Sequence, residues 1–304
     1  MSKAIDDEDW ASEAYQYIAM SAGLVLFPHG KTSTDVWDME DDRRIGVLEG
    51  HTDPVSVAAI NNDATAAVTM SSDDNGDTWA AKLWSLDTMQ CTSDLTSVYG
   101  VGCLLKDRLL LDSESRKIKV WDIGGCAPVA LMDLGDHDST VLQIEASDTS
   151  NAALSGSFDG SMRLWDLRSG QCVRIMEGHA GLTLSVSLDS ASKTAVSGSH
   201  DDTVKLWDLG SGRCIHTYQY HGCGVCDVMM HESGSSFLTF GPRLSIKAWT
   251  TASGYDQPIL AADLGLYCNP NANYVRGAAS WDLSRVAVCY MQADGLGRGI
   301  QVWK

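Results

Sequence analysis

The sequence predicts an all-β fold built from one repeated unit, on three observations. The segment SGSFDGSMRLWDLRSGQC at Ser155–Cys172 recurs as SGSHDDTVKLWDLGSGRC at Ser197–Cys214, an offset of 42 residues. Tryptophans anchor further copies at Trp37, Trp84, Trp121, Trp165, Trp207, Trp249 and Trp303, with gaps of 47, 37, 44, 42, 42 and 54. Five of them close the strings AKLW, IKVW, MRLW, VKLW and IQVW, which alternate polar and apolar residues as half-buried strands do. No segment carries sustained helical periodicity.

Composition sets the outer limits. The chain has 304 residues, 44% of them hydrophobic, with 22 Lys+Arg against 40 Asp+Glu, a net charge of −18. Such a chain is globular, with ample length for a large core. Its acidity disfavours nucleic acid or an anionic membrane as main partner, because both repel a negative surface. Neither nucleic acid nor membrane insertion is therefore expected, and partners with basic surfaces stay open. The longest nearly apolar stretch, Ile18 to Phe27, is about half of what a membrane helix requires. The start, MSKAIDDEDW, lacks an apolar signal core, and nine scattered Cys fit reduced thiols. These features read as intracellular, the cytoplasm ahead of nucleus or cilium.

A period of 40–45 residues with Trp-Asp closing a strand resembles the WD-repeat (WD40) family, over essentially the whole chain. The resemblance implies a single seven-bladed β-propeller of four-stranded antiparallel blades spanning residues 1–304. The blades would occupy approximately 9–49, 50–95, 96–135, 136–177, 178–219, 220–262 and 263–304. Because Trp303 lies one residue from the end, the seventh blade lacks an outer strand. The N-terminal segment, residues 1–6 with a strand around Ser2–Ile5, is expected to supply it and close the ring, leaving no long open edge.

The repeated positions follow blade by blade. In the first, Lys31 stands six residues before the Trp; the second has Gly50-His51 and an insertion that makes Asp77 the candidate counterpart. The third has Ser115 at that position and no matching His. The fourth carries His137, Ser155, Asp159 and Trp165, and the fifth His179, Ser197, Asp201 and Trp207 at identical spacing. The sixth keeps His221 and Thr239 but has Arg243 in place of the aspartate. Ser, His and Asp together invite a catalytic triad, yet a triad would occur once and would need an exposed Ser. A set that recurs with a Trp fits the family's structural network instead: indole to hydroxyl, hydroxyl to imidazole, imidazole to carboxylate.

Other motifs carry little chemistry. Cys91, Cys172 and Cys214 each fall seven residues after a Trp, as small half-buried residues that the fold tolerates. Cys223 and Cys226 form one C-x-x-C, and zinc would need a second pair, so no metal site is expected. Gly100-Val-Gly102 lacks the third glycine of a phosphate loop, and no cofactor is expected. The expected function is a non-catalytic scaffold for protein–protein contacts within a larger complex, not an enzyme. The partner face would carry Phe158 and His200, each just before a network aspartate, together with Arg243. An alternative rests on Trp165-Asp166-Leu167-Arg168, which looks like the box carried by substrate receptors of cullin–RING ubiquitin ligases, with Asp166 and Arg168 toward the ligase adaptor. A propeller enzyme is the third, less favoured reading.

Overall fold

In this computed structural model the described residues are 3–5, 19–41, 43–73, 79–96, 98–112, 116–125, 127–219, 224–241, 245–251, 259–263, 272–279, 286–292 and 298–303. Among them every regular element is a strand. The chain divides into two compact units, Met1–Asp133 with Gly277–Cys289 and Arg298–Lys304, and Leu134–Arg276 with Tyr290–Gly297.

The first unit begins with β1 (Lys3–Ile5). Its first blade is β2 (Ala19–Ser21), β3 (Leu24–His29), β4 (Ser33–Asp38) and β5 (Arg43–Glu49). The second is β6 (Val55–Ile60), β7 (Ala66–Ser72), β8 (Trp79–Ser85) and β9 (Gln90–Thr96). The third is β10 (Tyr99–Leu104), β11 (Arg108–Asp112), β12 (Lys117–Asp122) and β13 (Val129–Asp136), whose last residues cross into the second unit.

The second unit holds blade four, β14 (Val141–Ser147), β15 (Ala152–Ser157), β16 (Met162–Asp166) and β17 (Gln171–Met176). Blade five is β18 (Thr183–Leu188), β19 (Thr194–Ser199), β20 (Thr203–Asp208) and β21 (Arg213–Gln219). Blade six is β22 (Asp227–Met230), β23 (Ser236–Gly241), β24 (Ser245–Thr250) and β25 (Ile259–Asp263). The last strands are β26 (Ala272–Ala279), β27 (Val286–Gln292) and β28 (Arg298–Trp303).

The expectation of seven like blades needs correction. Six sheets are blades of four consecutive antiparallel strands, so the number built on the continuous pattern is six, not seven. The remaining four-stranded sheet has the order β1-β28-β27-β26 and draws its strands from both ends of the sequence. In it Lys3, Ala4 and Ile5 pair antiparallel with Val302, Gln301 and Ile300. The physical reason is that the edge of β28 is paired with β1, a strand from the other end of the sequence, rather than with a consecutive neighbour. Its side chains lie outside the described residues.

A four-stranded sheet cannot bury both of its faces alone, so the apolar clusters are shared between neighbouring blades. In the first unit Leu26, Val36 and Leu48 pack with Ala67, Trp84 and Leu86 of the next blade. In the second unit Leu154, Met162 and Met176 pack with Val186, Leu188 and Trp207. Val196, Val204 and Leu206 likewise meet Val228, Phe237 and Trp249. Gly198 shows how close this approach is: a Cβ there would lie 2.7 Å from Val225 Cγ1 and 3.0 Å from Val228 Cγ1. That contact explains the glycine of the repeated Ser-Gly-Ser. Among the described residues no helix is long and apolar enough to cross a membrane.

Each anchoring Trp sits on the third strand of its sheet. At Trp37, Trp84, Trp165, Trp207 and Trp249 the register with the fourth strand shifts by a bulge. Cys91, Cys172 and Cys214 are the residues paired with Trp84, Trp165 and Trp207 across that bulge. Their thiols donate to carbonyls two residues on, at 3.5, 3.2 and 3.2 Å. All three are exposed rather than half-buried, because the fourth strand is an edge.

Candidate functional site

Blades four and five present the same constellation at the end of their middle strands. Trp165 Nε1 donates to Ser155 Oγ at 2.9 Å, and Ser155 Oγ lies 2.7 Å from His137 Nε2. His137 Nδ1 lies 3.2 Å from Asp159 Oδ2. In blade five the distances are 2.8 Å from Trp207 Nε1 to Ser197 Oγ, 2.7 Å from Ser197 Oγ to His179 Nε2, and 3.0 Å from His179 Nδ1 to Asp201 Oδ2. With the indole donating to the hydroxyl, the hydroxyl proton is directed at Nε2, which leaves Nδ1–H to donate to the carboxylate.

The carboxylates do more than orient a ring. Asp159 also accepts from the Asp138 and Ser161 backbone N–H groups at 3.0 and 2.7 Å. Asp201 accepts from Ala180 and Thr203 N–H at 2.8 and 3.0 Å, and from Thr203 Oγ1 at 2.6 Å. Each thus ties the loop ahead of the first strand to the turn between the second and third. That turn needs a left-handed residue, Gly160 in blade four (φ 82°) and Asp202 in blade five (φ 66°). A side chain at Gly160 would also meet the Gly181 carbonyl oxygen at 2.9 Å.

Charge follows from this geometry. Burial pushes the Asp159 carboxyl up, but bonds from Ser161 and the neighbouring His137 outweigh it and bring it down to about 2. Asp201 is likewise held well below the usual carboxylate range: burial works against this, and the Thr203 and Ala180 bonds and His179 prevail. Burial lowers both histidines, with the partner aspartate opposing. At neutral pH the set is therefore a carboxylate with a neutral imidazole. Chemically it is the hydrogen-bond order of a triad, but Ser155 and Ser197 are 0% exposed and their oxygens already accept an indole N–H.

The other blades differ as their sequences do. In blade two Trp84 Nε1 donates to Thr69 Oγ1 at 2.7 Å, and His51 lies 2.7 Å from both Thr69 Oγ1 and Ser71 Oγ. Counting back ten from Trp84 misses Thr69, because the insertion over 74–78 displaces it. Aligning the strand AVTMS with ALSGS of blade four finds it. Ser71 takes the aspartate's place as partner of Nδ1; the expected counterpart Asp77 lies outside the described residues. In blade three Leu111 stands ten residues before Trp121, and the buried Trp121 Nε1 has no hydrogen-bond partner. Lys119 Nζ lies over that ring, 5.7 Å from its centroid. In blade six Trp249 Nε1 donates to Thr239 Oγ1 at 2.9 Å, while His221 and Arg243 lie outside the described residues.

Phe158 and His200 occupy equivalent places on the turn beside the network. Their N–H groups bond to the Thr140 and Leu182 carbonyls at 2.9 and 3.0 Å. Phe158 is 51% exposed, and His200 is exposed. At the opposite end of β16 the Asp166 carboxylate accepts from Arg168 N–H at 2.9 Å and Ser169 Oγ at 3.0 Å. That cap leaves the Arg168 side chain exposed. Among the described residues no group of three or more His, Cys, Asp or Glu could hold a metal. Of the C-x-x-C pair, Cys223 lies outside the described residues and Cys226 is partly buried.

Comparison with known proteins agrees with this repeat. Residues 129–166 and 170–208 match the family model described as WD domain, G-beta repeat. The chain is 29% identical over 185 residues to Mitochondrial division protein 1 of Schizosaccharomyces pombe, covering 47% of this chain and 27% of that protein. It is 40% identical over 73 residues to F-box/WD repeat-containing protein 10 of Mus musculus, covering 24% and 7%. With Ribosome biogenesis protein ytm1 of Aspergillus terreus it shares 34% over 129 residues, covering 41% and 26%. The chain thus spans about a quarter of the length of the first of these relatives. The stretches 129–166 and 170–208 are thus WD40 repeats, and they carry the indole–hydroxyl–imidazole networks of Trp165 and Trp207.

Proposed function

We propose that this protein is a non-catalytic interaction scaffold, working in the cytoplasm as one subunit of a multiprotein assembly. The observation that carries the reading is Phe158: a large apolar ring, 51% exposed, on a turn whose other polar groups are committed to the blade. Aromatic residues of this kind supply much of the energy of protein interfaces. His200 stands at the equivalent place in blade five, and Arg243 is the third proposed contact, from blade six. The His–Ser–Asp sets act as blade fasteners: their serines are sealed from solvent and hydrogen-bonded on both sides. Affinity purification from the native cell with mass spectrometry tests the reading. Phe158→Ala combined with Arg243→Glu should sharply reduce recovery of the main partner while leaving the melting temperature unchanged. Unchanged recovery, with loss on Arg168→Ala, overturns the placement of the face.

A second reading is favoured by the exposed Arg168 beside the capped Asp166. It makes the chain a substrate receptor of a cullin–RING ubiquitin ligase, with Arg168 reaching the ligase adaptor. The likeness to an F-box/WD repeat-containing protein supports it over a short segment. Co-purification of a cullin–RING adaptor with the parent and its loss in Arg168→Ala would establish this reading over the first.

A further inference from the structure

The fourth strand of each blade is a sheet edge, and the repeat lets these edges be compared position by position. Cys91, Cys172 and Cys214 stand opposite the anchoring Trp of blades two, four and five. Three residues further on, Asp94, Ile175 and Thr217 each lie opposite a cation of the third strand, Lys82, Arg163 and Lys205. In blade two Lys82 Nζ lies 2.5 Å from Asp94 Oδ1, and in blade five Lys205 Nζ donates to Thr217 Oγ1 at 2.8 Å. Ile175 of blade four offers no acceptor. Arg163 Nη1 turns instead to the Asp136 carbonyl, and its buried Nε has no hydrogen-bond partner.

The same edge leaves apolar groups in water. Gln171 to Ile175 are all exposed, with Val173 at 45% and Ile175 at 54%. At the place of Val173, blade two has the polar Thr92, and blade five has Ile215, which packs on the apolar cluster of Phe237 and Trp249. Val173 and Ile175 stand two apart and share one face of β17, and Arg174 takes the other. The register with β16 is regular from Arg174 to Met176, while the opposite side of this terminal strand has no sheet partner. Among the described residues the Arg174 guanidinium meets carbonyls alone, those of Val173 and Gly210 at 2.9 and 3.1 Å. β16, β17 and their turn carry Arg163, Arg168 and Arg174 against Asp166, on a chain of net charge −18. Edge strands are ordinarily blunted by charge or covered, and this one instead presents apolar side chains and a local positive charge.

We propose that β17 takes an extended segment of another protein as a fifth strand of blade four, a segment that alternates apolar and acidic residues. Its apolar side chains cover Val173 and Ile175, and its carboxylates face Arg174, while main-chain bonds run along the edge. A second copy of this chain fits worse. The antiparallel register that lays Val173 on Ile175 sets Arg174 against its own copy, and like charges directly opposite destabilise a strand pair.

Fluorescence anisotropy with a labelled peptide of alternating Val and Glu tests this, beside the same peptide with Lys in place of Glu. The Val–Glu peptide should bind and the Val–Lys peptide should not. Ile175→Asp copies blade two and gives Arg163 a partner; it should weaken binding by about tenfold without lowering the melting temperature. Ile175→Thr copies blade five and should weaken binding in the same direction. Arg174→Glu should shift the preference toward the Val–Lys peptide. Bound peptide should slow amide exchange within β17, as an added strand does. Phe158→Ala should bind as the parent does, and loss there would move the peptide to the turn and overturn the proposal. It is also overturned by no binding of the Val–Glu peptide, by equal binding of the two peptides, or by parent-like affinity in both Ile175 variants. A concentration-dependent dimer that vanishes in Ile175→Asp would assign the edge to a second copy instead.

Discussion

In blade five the imidazole of His179 lies between a hydroxyl and a carboxylate, whereas in blade two His51 lies between two hydroxyls. The indole is held identically in both, at 2.8 and 2.7 Å from its acceptor. What changes is the charge and the reach of the third partner. Asp201 opposes the effect of burial on His179 and gathers two backbone N–H groups from two loops. Ser71 has no charge to set against burial, and with Lys82 nearby His51 is driven down to about 4. Blade three goes further, with an indole N–H that has no acceptor. The comparison separates two jobs: the hydroxyl fixes the tryptophan, while the carboxylate fixes the loops.

The largest expected effect comes from removing the loop anchor. Asp201→Ala should destabilise by roughly 1–3 kcal/mol, because it strands a buried imidazole donor and two backbone N–H groups. Asp159→Ala should match it, since the two carboxylates make equivalent bonds. Urea unfolding measures both, and an Ala variant with the parent's midpoint would break the division of labour.

Next in size is the indole bond itself. Trp207→Phe should cost about 1 kcal/mol more than Trp121→Phe, the worth of a hydrogen bond that Trp121 does not make. Equal losses in a denaturant series would show that volume alone matters at the anchor. Ser71→Ala should cost about 0.5–1.5 kcal/mol, the loss of one neutral bond. Ser71→Asp sharpens the point: in an NMR titration the His51 midpoint should move up from about 4, as a carboxylate now faces its ring.

The smallest effect is a pH dependence. His51 is depressed below its ordinary 6.5, so its contribution to stability is complete above that pH and is lost as pH falls through about 4. Asp159, also depressed, keeps its contribution down to the ordinary 3.8 and loses it as pH falls through about 2. His137 of blade four is lowered too, but with Asp159 opposing, so acidification should weaken blade two more than blade four. Exchange at Thr69 rising no more than at Ser155 as the solution is acidified would contradict this difference.

Much of the fold was readable because the repeat writes itself in local chemistry. Strand alternation, the Trp-Asp strand end and the turn residues act over a few positions, so the fourth and fifth repeats disclosed the sets His137–Ser155–Asp159–Trp165 and His179–Ser197–Asp201–Trp207 by spacing alone. Fixed spacing fails where an insertion intervenes, and so Thr69 and Ser71 of blade two were hidden although Trp84 was plain. The count of like blades failed for a related reason. A repeat anchor at Trp303 announces a third strand, but which strand covers its edge depends on pairing between residues about 300 positions apart.

By itself, then, the amino-acid order determined the all-β class, the position of every anchoring tryptophan and the identity of two complete networks, because these are set by neighbours within one repeat. Tertiary structure alone decided what the repeats do to each other: the clash that demands Gly198, the exposure of Phe158 and the bonds from Val186 and Val228 N–H to Gln143 and Ser185 of the blade before. Those features depend on how close two strands from different sheets approach. No local pattern encodes that distance, so contacts between sheets stay unread until the sheets are in place.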